Sequence, residues 1–177
     1  MGRIIEYTLV SADGVFSSDR FQDFLTFRDE AYLRDGLGVL SASRAMLYGR
    51  NVYESFSQRW PGRDHPWAER LNTIPKYVFS NTIEGANWGE TTIVRGDPVA
   101  EAKRIKGEIS GDLLIFGHTQ CAESLMRAGL VDILDLSIHP IFLGGGGLLM
   151  REGLSAEFEL VASKTFSKIV KLSFRRI

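Results

Sequence analysis

Only one cysteine, Cys121, occurs in the 177 residues, so no intrachain disulfide can form and a reducing compartment is expected. Charge of one sign is not in excess. Lys and Arg total 21 against 22 Asp and Glu, which gives no bulk attraction for nucleic acid or a charged membrane surface. No apolar stretch approaches the roughly 20 residues of a membrane span. The opening MGRIIEYTLVSADG has neither the basic segment nor the apolar run of a secretory signal, so a cytoplasmic protein is expected. Internal repeats, low-complexity tracts and long linkers are also missing. The three histidines, His65, His118 and His139, have no metal-ligand spacing, so no metal site is expected. No G-x-S-x-G elbow occurs, and no serine has a legible histidine–acid partner. What is present is an ordinary globular balance, 44% hydrophobic and 24% charged, in a length that suits one domain over residues 1–177.

The patterning alternates. Strands are predicted over residues 4–10, 45–48, 76–80, 91–94, 112–116 and 133–143, each closed by turn residues. Helices are predicted over residues 21–33, where Gly36 and Gly38 stop the first, and over 51–59 with Asn51 as N-cap. Others are expected over 67–72, over 98–108 behind Asp97-Pro98, and over 119–128 before Gly129. Residues 158–165 and 169–175 read as a final hairpin about Ser167. Strands that alternate with helices and end in an antiparallel pair predict an α/β fold. Its central sheet is mostly parallel, with helices on both faces and an antiparallel C-terminal edge.

In such sheets the ligand crevice lies beyond the carboxyl ends of the strands. Three segments are expected there: Gly49-Arg50-Asn51, Ser80-Asn81-Thr82 and Gly117-His118-Thr119. A helix N-terminus offers free N–H groups and partial positive charge to a phosphate, and Arg50 adds a forked cationic donor. Each junction alone also suits any α/β protein, which needs small residues at its turns. Cys121 reads either as a small core contact or as a thiol near a helix start. His139, before Pro140, reads as a strand bend. Trp60, Trp67 and Trp88 read as core edge, dimer contact or substrate mouth. The glycines at 144–147 read as a turn or as a ligand approach.

Five segments in order carry a resemblance: TLVSADG (8–14), LYGRNVYE (47–54), PKYVFSNT (75–82), LIFG (114–117), and GLVD (129–132) followed by HPIFLGGG (139–146). The chain resembles the dihydrofolate-reductase-like family that includes the C-terminal reductase domain of the riboflavin-biosynthesis protein RibD. The resemblance implies an NADPH-dependent reductase that delivers hydride to a small, pteridine- or pyrimidine-like substrate. It also implies a homodimer joined through the C-terminal strands. Gly49, Arg50 and Asn51 would face the 2′-phosphate or pyrophosphate of NADPH, and Ser80, Asn81 and Thr82 the adenosine. Gly117, His118, Thr119 and Gln120 would cradle the pyrophosphate, and Ala12, Asp13 and Gly14 would lie near the nicotinamide. The chain departs from the family at His118, where Gly or Ser is usual, at Val52 (or Asn51, if the alignment slips by one), where a hydroxyl-bearing residue is usual, and at Ile133, which replaces a glutamate common in riboflavin-pathway reductases. Those departures leave a second reading, a non-catalytic nucleotide-binding or dimerising protein that keeps the fold.

Overall fold

Strand β1 (Ile4–Ser11) is buried along nearly its whole length, as a strand covered on both faces must be. In the computed structural model, which describes residues 2–149 and 153–177, it lies inside a sheet of eight strands. The order is β5 (Thr91–Val94), β4 (Lys76–Phe79), β3 (Ala45–Gly49), β6 (Leu113–Phe116), β1, β7 (Val131–His139), β10 (Val170–Arg176) and β9 (Phe158–Thr165). Pairing is parallel from β5 to β7, and β10 runs antiparallel to both β7 and β9.

From β1 the chain moves outward to β3, β4 and β5, then returns to β6 and β7 on either side of β1. Right-handed crossovers place outward-going helices on one face and returning helices on the other. Accordingly α2 (Glu30–Ala42), α3 (Arg50–Arg59) and α4 (Pro66–Thr73) share a core with Tyr7, Tyr48 and Leu114. Helices α5 (Pro98–Glu108) and α6 (Gln120–Arg127) pack Ala102, Ile105, Leu125 and Met126 against Ile4, Leu47 and Ile115 on the opposite face. Both faces are covered, and the antiparallel pair stands at one edge, as the patterning predicted.

Several boundaries differ from the sequence expectation. The helix expected over residues 21–33 is two helices, α1 (Phe21–Leu25) and α2. Asp29 takes an extended conformation and its carboxylate accepts the Tyr32 N–H at 2.8 Å, which starts a new helix and ends continuity with the old one. Gly36 and Gly38 do not stop α2; they lie inside it. A Cβ on Gly36 would come within 3.0 Å of Trp67 Cζ2 and 3.4 Å of Tyr7 Oη, so the glycine permits close approach rather than termination. Asn51 is not a cap. Helix α3 begins one residue earlier, and Gly49 occupies the N-cap with no side-chain hydrogen bond. The strand expected to reach residue 143 ends at His139, and a short ribbon of β2 (Val15–Ser17) with β8 (Gly147–Leu148) was not anticipated.

His139 is fully buried. Its Nδ1 lies 3.0 Å from the Ser137 carbonyl, and its ring meets Phe24 and Tyr32 edge-on at centroid distances of 5.0 and 6.0 Å. Burial pushes its pKa down to about 4. The unfolded chain takes up this proton near pH 6.5 and the folded chain does not, so stability is full above that pH and is lost as pH falls toward 4. Urea denaturation of wild type and His139→Gln between pH 7 and 4 checks this. The wild-type stability should fall across that window and the variant's should fall less; equal slopes would reject the assignment.

Candidate functional site

A cavity of about 1290 Å³ opens over the carboxyl ends of β1, β3 and β6. That is where an open α/β sheet reverses strand order and leaves a crevice. Here β1 continues to β3 across the position that β6 later fills, so helices diverge on both sides of the opening.

Two helix starts meet at this opening. A Cβ on Gly49 would lie 3.8 Å from Cys121 Cβ and 4.0 Å from Thr119 Oγ1, so the N-termini of α3 and α6 are neighbours. Thr119 caps α6 by accepting the Ala122 N–H at 3.2 Å, whereas α3 has no side-chain cap. Its first-turn N–H groups thus lack a side-chain acceptor, and two positive dipole ends converge on one place. Gly117 has φ +79° and open space where a Cβ would stand, so its backbone is bare toward the cavity. These features fit an anionic diphosphate.

Seven of the sequence-predicted residues come together on the cavity wall: Gly49, Arg50, Asn51, Gly117, His118, Thr119 and Gln120. The segment Ser80-Asn81-Thr82 stands beside them, off the wall. Arg50 donates to Glu54 at 2.8 Å and to Thr82 Oγ1 at 2.8 Å, which ties that segment to the rim. Ser80 Oγ accepts the Thr82 and Ile83 N–H groups and so holds its own turn, whereas Asn81 Oδ1 accepts the Gly96 N–H at 2.8 Å and ties that turn to the one after β5. Ala12, Asp13 and Gly14 do not line the cavity. The Asp13 carboxylate accepts from Ser11 Oγ and from the Leu143 and Gly144 N–H groups, which clamp the glycine turn. Those hydrogen bonds, Ser11's foremost, hold Asp13 down to a pKa of about 2. Phe16, Ser17 and Ser18, just beyond, reach the wall instead.

Sequence reasoning missed Glu6. It is wholly buried on β1, and its Oε1 lies 2.8 Å from His118 Nδ1 and accepts the Thr8 hydroxyl at 3.0 Å. Phe16 meets the His118 ring edge-on at 5.3 Å. Glu6 Oε2 and His118 Nε2 are buried with no hydrogen-bond partner. The only trace in the sequence is one acid in an apolar strand. Also missed was Phe116, whose ring lies 5.8 Å from Tyr7 and from Trp67 and 6.5 Å from Phe56; of the tryptophans that read as a substrate mouth, Trp60 and Trp67 line the cavity and Trp88 does not. Burial pushes the Cys121 thiol up to about 12, which keeps it protonated and favours the core-contact reading.

Residues 4–172 match the family of RibD C-terminal domains. The chain belongs to that family. The uncharacterized protein YyaP of Bacillus subtilis (strain 168) is 27% identical over 128 residues, 69% of this chain and 68% of that one. Solved structures share the fold. A candidate riboflavin biosynthesis protein of Shewanella sp. PV-4 superposes with TM-score 0.81 at 21% identity, covering 99% of each chain. The diaminohydroxyphosphoribosylaminopyrimidine deaminase/5-amino-6-(5-phosphoribosylamino)uracil reductase of Thermotoga maritima gives 0.71 at 11% identity. That match covers 99% of this chain and 57% of the longer one. RibD C-terminal domains are a reductase-type family, and among the described residues no helix is long and apolar enough to cross a membrane.

Proposed function

We propose that this RibD C-terminal domain protein is an NADPH-dependent reductase of a small pteridine- or pyrimidine-like substrate. The observation that carries the reading is the convergence of the α3 and α6 N-termini with the bare Gly117 backbone at one cavity. The cofactor would supply the hydride. Gly117, His118, Thr119 and Gln120 would hold its diphosphate through backbone N–H groups, and Gly49, Arg50 and Asn51 its other phosphate groups. Arg50, held in place by Glu54 and Thr82, presents a fixed guanidinium to a phosphate, which favours NADPH over NADH. Ser80, Asn81 and Thr82 would receive the adenosine end on the rim. Ala12, Asp13 and Gly14 would act near the nicotinamide by fixing the backbone that delivers Phe16 to the cavity. The aromatic wall around Phe116 offers a flat ring its stacking surface and excludes water from it.

A cytoplasmic homodimer joined through the C-terminal strands completes the reading. Its support is the outermost strand β9, on which Leu160 and Val161 are exposed.

The test is a thermal-shift titration with NADPH and NADH, followed by NADPH oxidation with candidate heterocycles. At about 100 times its dissociation constant a ligand adds roughly 2.7 kcal/mol, so the melting temperature should rise about 5–10 °C with NADPH and less with NADH. No shift at millimolar NADPH would reject the cofactor. A shift without turnover on any substrate would favour the non-catalytic reading.

A further inference from the structure

One half-buried charged side chain in the cavity has no counter-charge among the described residues. Arg28, between α1 and α2, lines the cavity, and its Nε is buried without a hydrogen-bond partner. It forms no ion pair among the described residues. Burial lowers the pKa of its guanidinium from the usual value. The acidic residues of the adjoining segment 23–35 are engaged elsewhere. Asp23 pairs with Arg20, Glu30 with Arg34, and Asp35 with Lys164 and Lys171. Asp29 accepts the Tyr32 and Ser167 N–H groups.

The groups near Arg28 are the phenols of Tyr7 and Tyr32, which burial keeps protonated and so able to donate, and the His139 ring, whose protonation Arg28 also disfavours. Phe116 and Trp67, with rings 5.8 Å apart and tilted by 34°, supply an apolar wall to the same cavity. A guanidinium partly removed from water without a partner is unfavourable unless a ligand completes it. A planar, forked donor pairs best with an anionic or carbonyl oxygen.

We propose that Arg28 is a substrate-anchoring residue, and that the substrate is a flat ring bearing an anionic or carbonyl oxygen, not a cationic amidine. The inference rests on the reductase reading for the ligand's role as substrate. The ligand preference itself belongs to the cavity and is measurable without cofactor.

Three bicyclic probes of one shape separate the possibilities: 2-naphthoate, 2-naphthamide and 2-naphthamidine, titrated against tryptophan fluorescence. Wild-type protein is expected to bind naphthoate at least tenfold more tightly than naphthamidine. Arg28→Met should weaken naphthoate at least tenfold and naphthamide, whose neutral carbonyl oxygen is the weaker acceptor, by a smaller factor. Its melting temperature should equal or exceed that of wild type, because the change removes a partly buried charge that has no ion pair. The proposal is overturned by naphthamidine binding as well as naphthoate, by no naphthoate binding, or by a preference that survives in Arg28→Met. A variant that melts several degrees lower or fails to fold would mark Arg28 as a structural residue and overturn it too. NADPH titration of the same samples keeps the two readings apart. A naphthoate preference without an NADPH shift rejects the reductase alone, and an NADPH shift without the preference rejects this inference alone.

Discussion

Glu6→Ala is expected to cost about 2–4 kcal/mol and to lower the melting temperature by roughly 4–16 °C. Glu6 is fully buried between Ile115 and Leu134 of the neighbouring strands. Its Oε1 is the acceptor for the Thr8 hydroxyl and lies 2.8 Å from His118 Nδ1. Removing the carboxylate leaves both without a partner where water does not reach, and a stranded buried polar group costs far more than a hydrogen bond contributes on balance. The double replacement Glu6→Met with His118→Leu should recover most of the loss, because no polar group is then left unpaired apart from the Thr8 hydroxyl. Urea denaturation of Glu6→Met, His118→Leu and the double closes a thermodynamic cycle. A Glu6→Ala protein within about 0.5 kcal/mol of wild type would show that the pair is not coupled as described.

Asp35→Ala is expected to cost about 3–5 kcal/mol. Lys171, on β10, is only 3% exposed, and its ammonium donates to Asp35. Asp35 also holds Lys164, so one carboxylate of α2 ties the helix to both C-terminal strands. Without it Lys171 retains Asp135 at 3.7 Å, too long for a good hydrogen bond. The effect should depend on pH. Burial tends to raise the Asp35 carboxyl, but the hydrogen bonds and charges of Lys164 and Lys171 outweigh it, and the net shift is downward. A depressed carboxylate contributes its stability above the unfolded value near 3.9, and that contribution is lost as pH falls through the lower folded value. The gap between wild type and Asp35→Ala should therefore be full at pH 7 and shrink in strong acid. A gap that is constant with pH would reject the ion pair as its source.

The two buried pairs also mark where local pattern stops informing. Turn residues, the Asp97-Pro98 helix start and the glycines at 117 and 129 act on their own backbone, so they were legible in order. Gly36 was misread because its reason lies 31 residues away, in Trp67, and nothing in the α2 segment records that approach. Asn51 was misread as a cap because the N-cap position falls on Gly49, two residues earlier, which has no side chain to mark it. Four of the five resemblance segments hold residues of the candidate site, and they point to it because each is a short stretch at a strand end. Arg28 carries no such local mark; on the page it is one basic residue among 21.

By itself the sequence determined the alternation of strands and helices, the mostly parallel sheet with its antiparallel edge, and the loops that close the carboxyl ends of its strands. These follow from backbone preferences and apolar periodicity, which act over a few residues. The tertiary structure alone decided that Glu6 meets His118 across 112 positions, that Asp35 holds Lys171 across 136, and that Arg28 faces the cavity without a carboxylate. Which polar groups meet is set by strand order and helix packing. A charge is compensated or left for a ligand only once distant segments have closed around it.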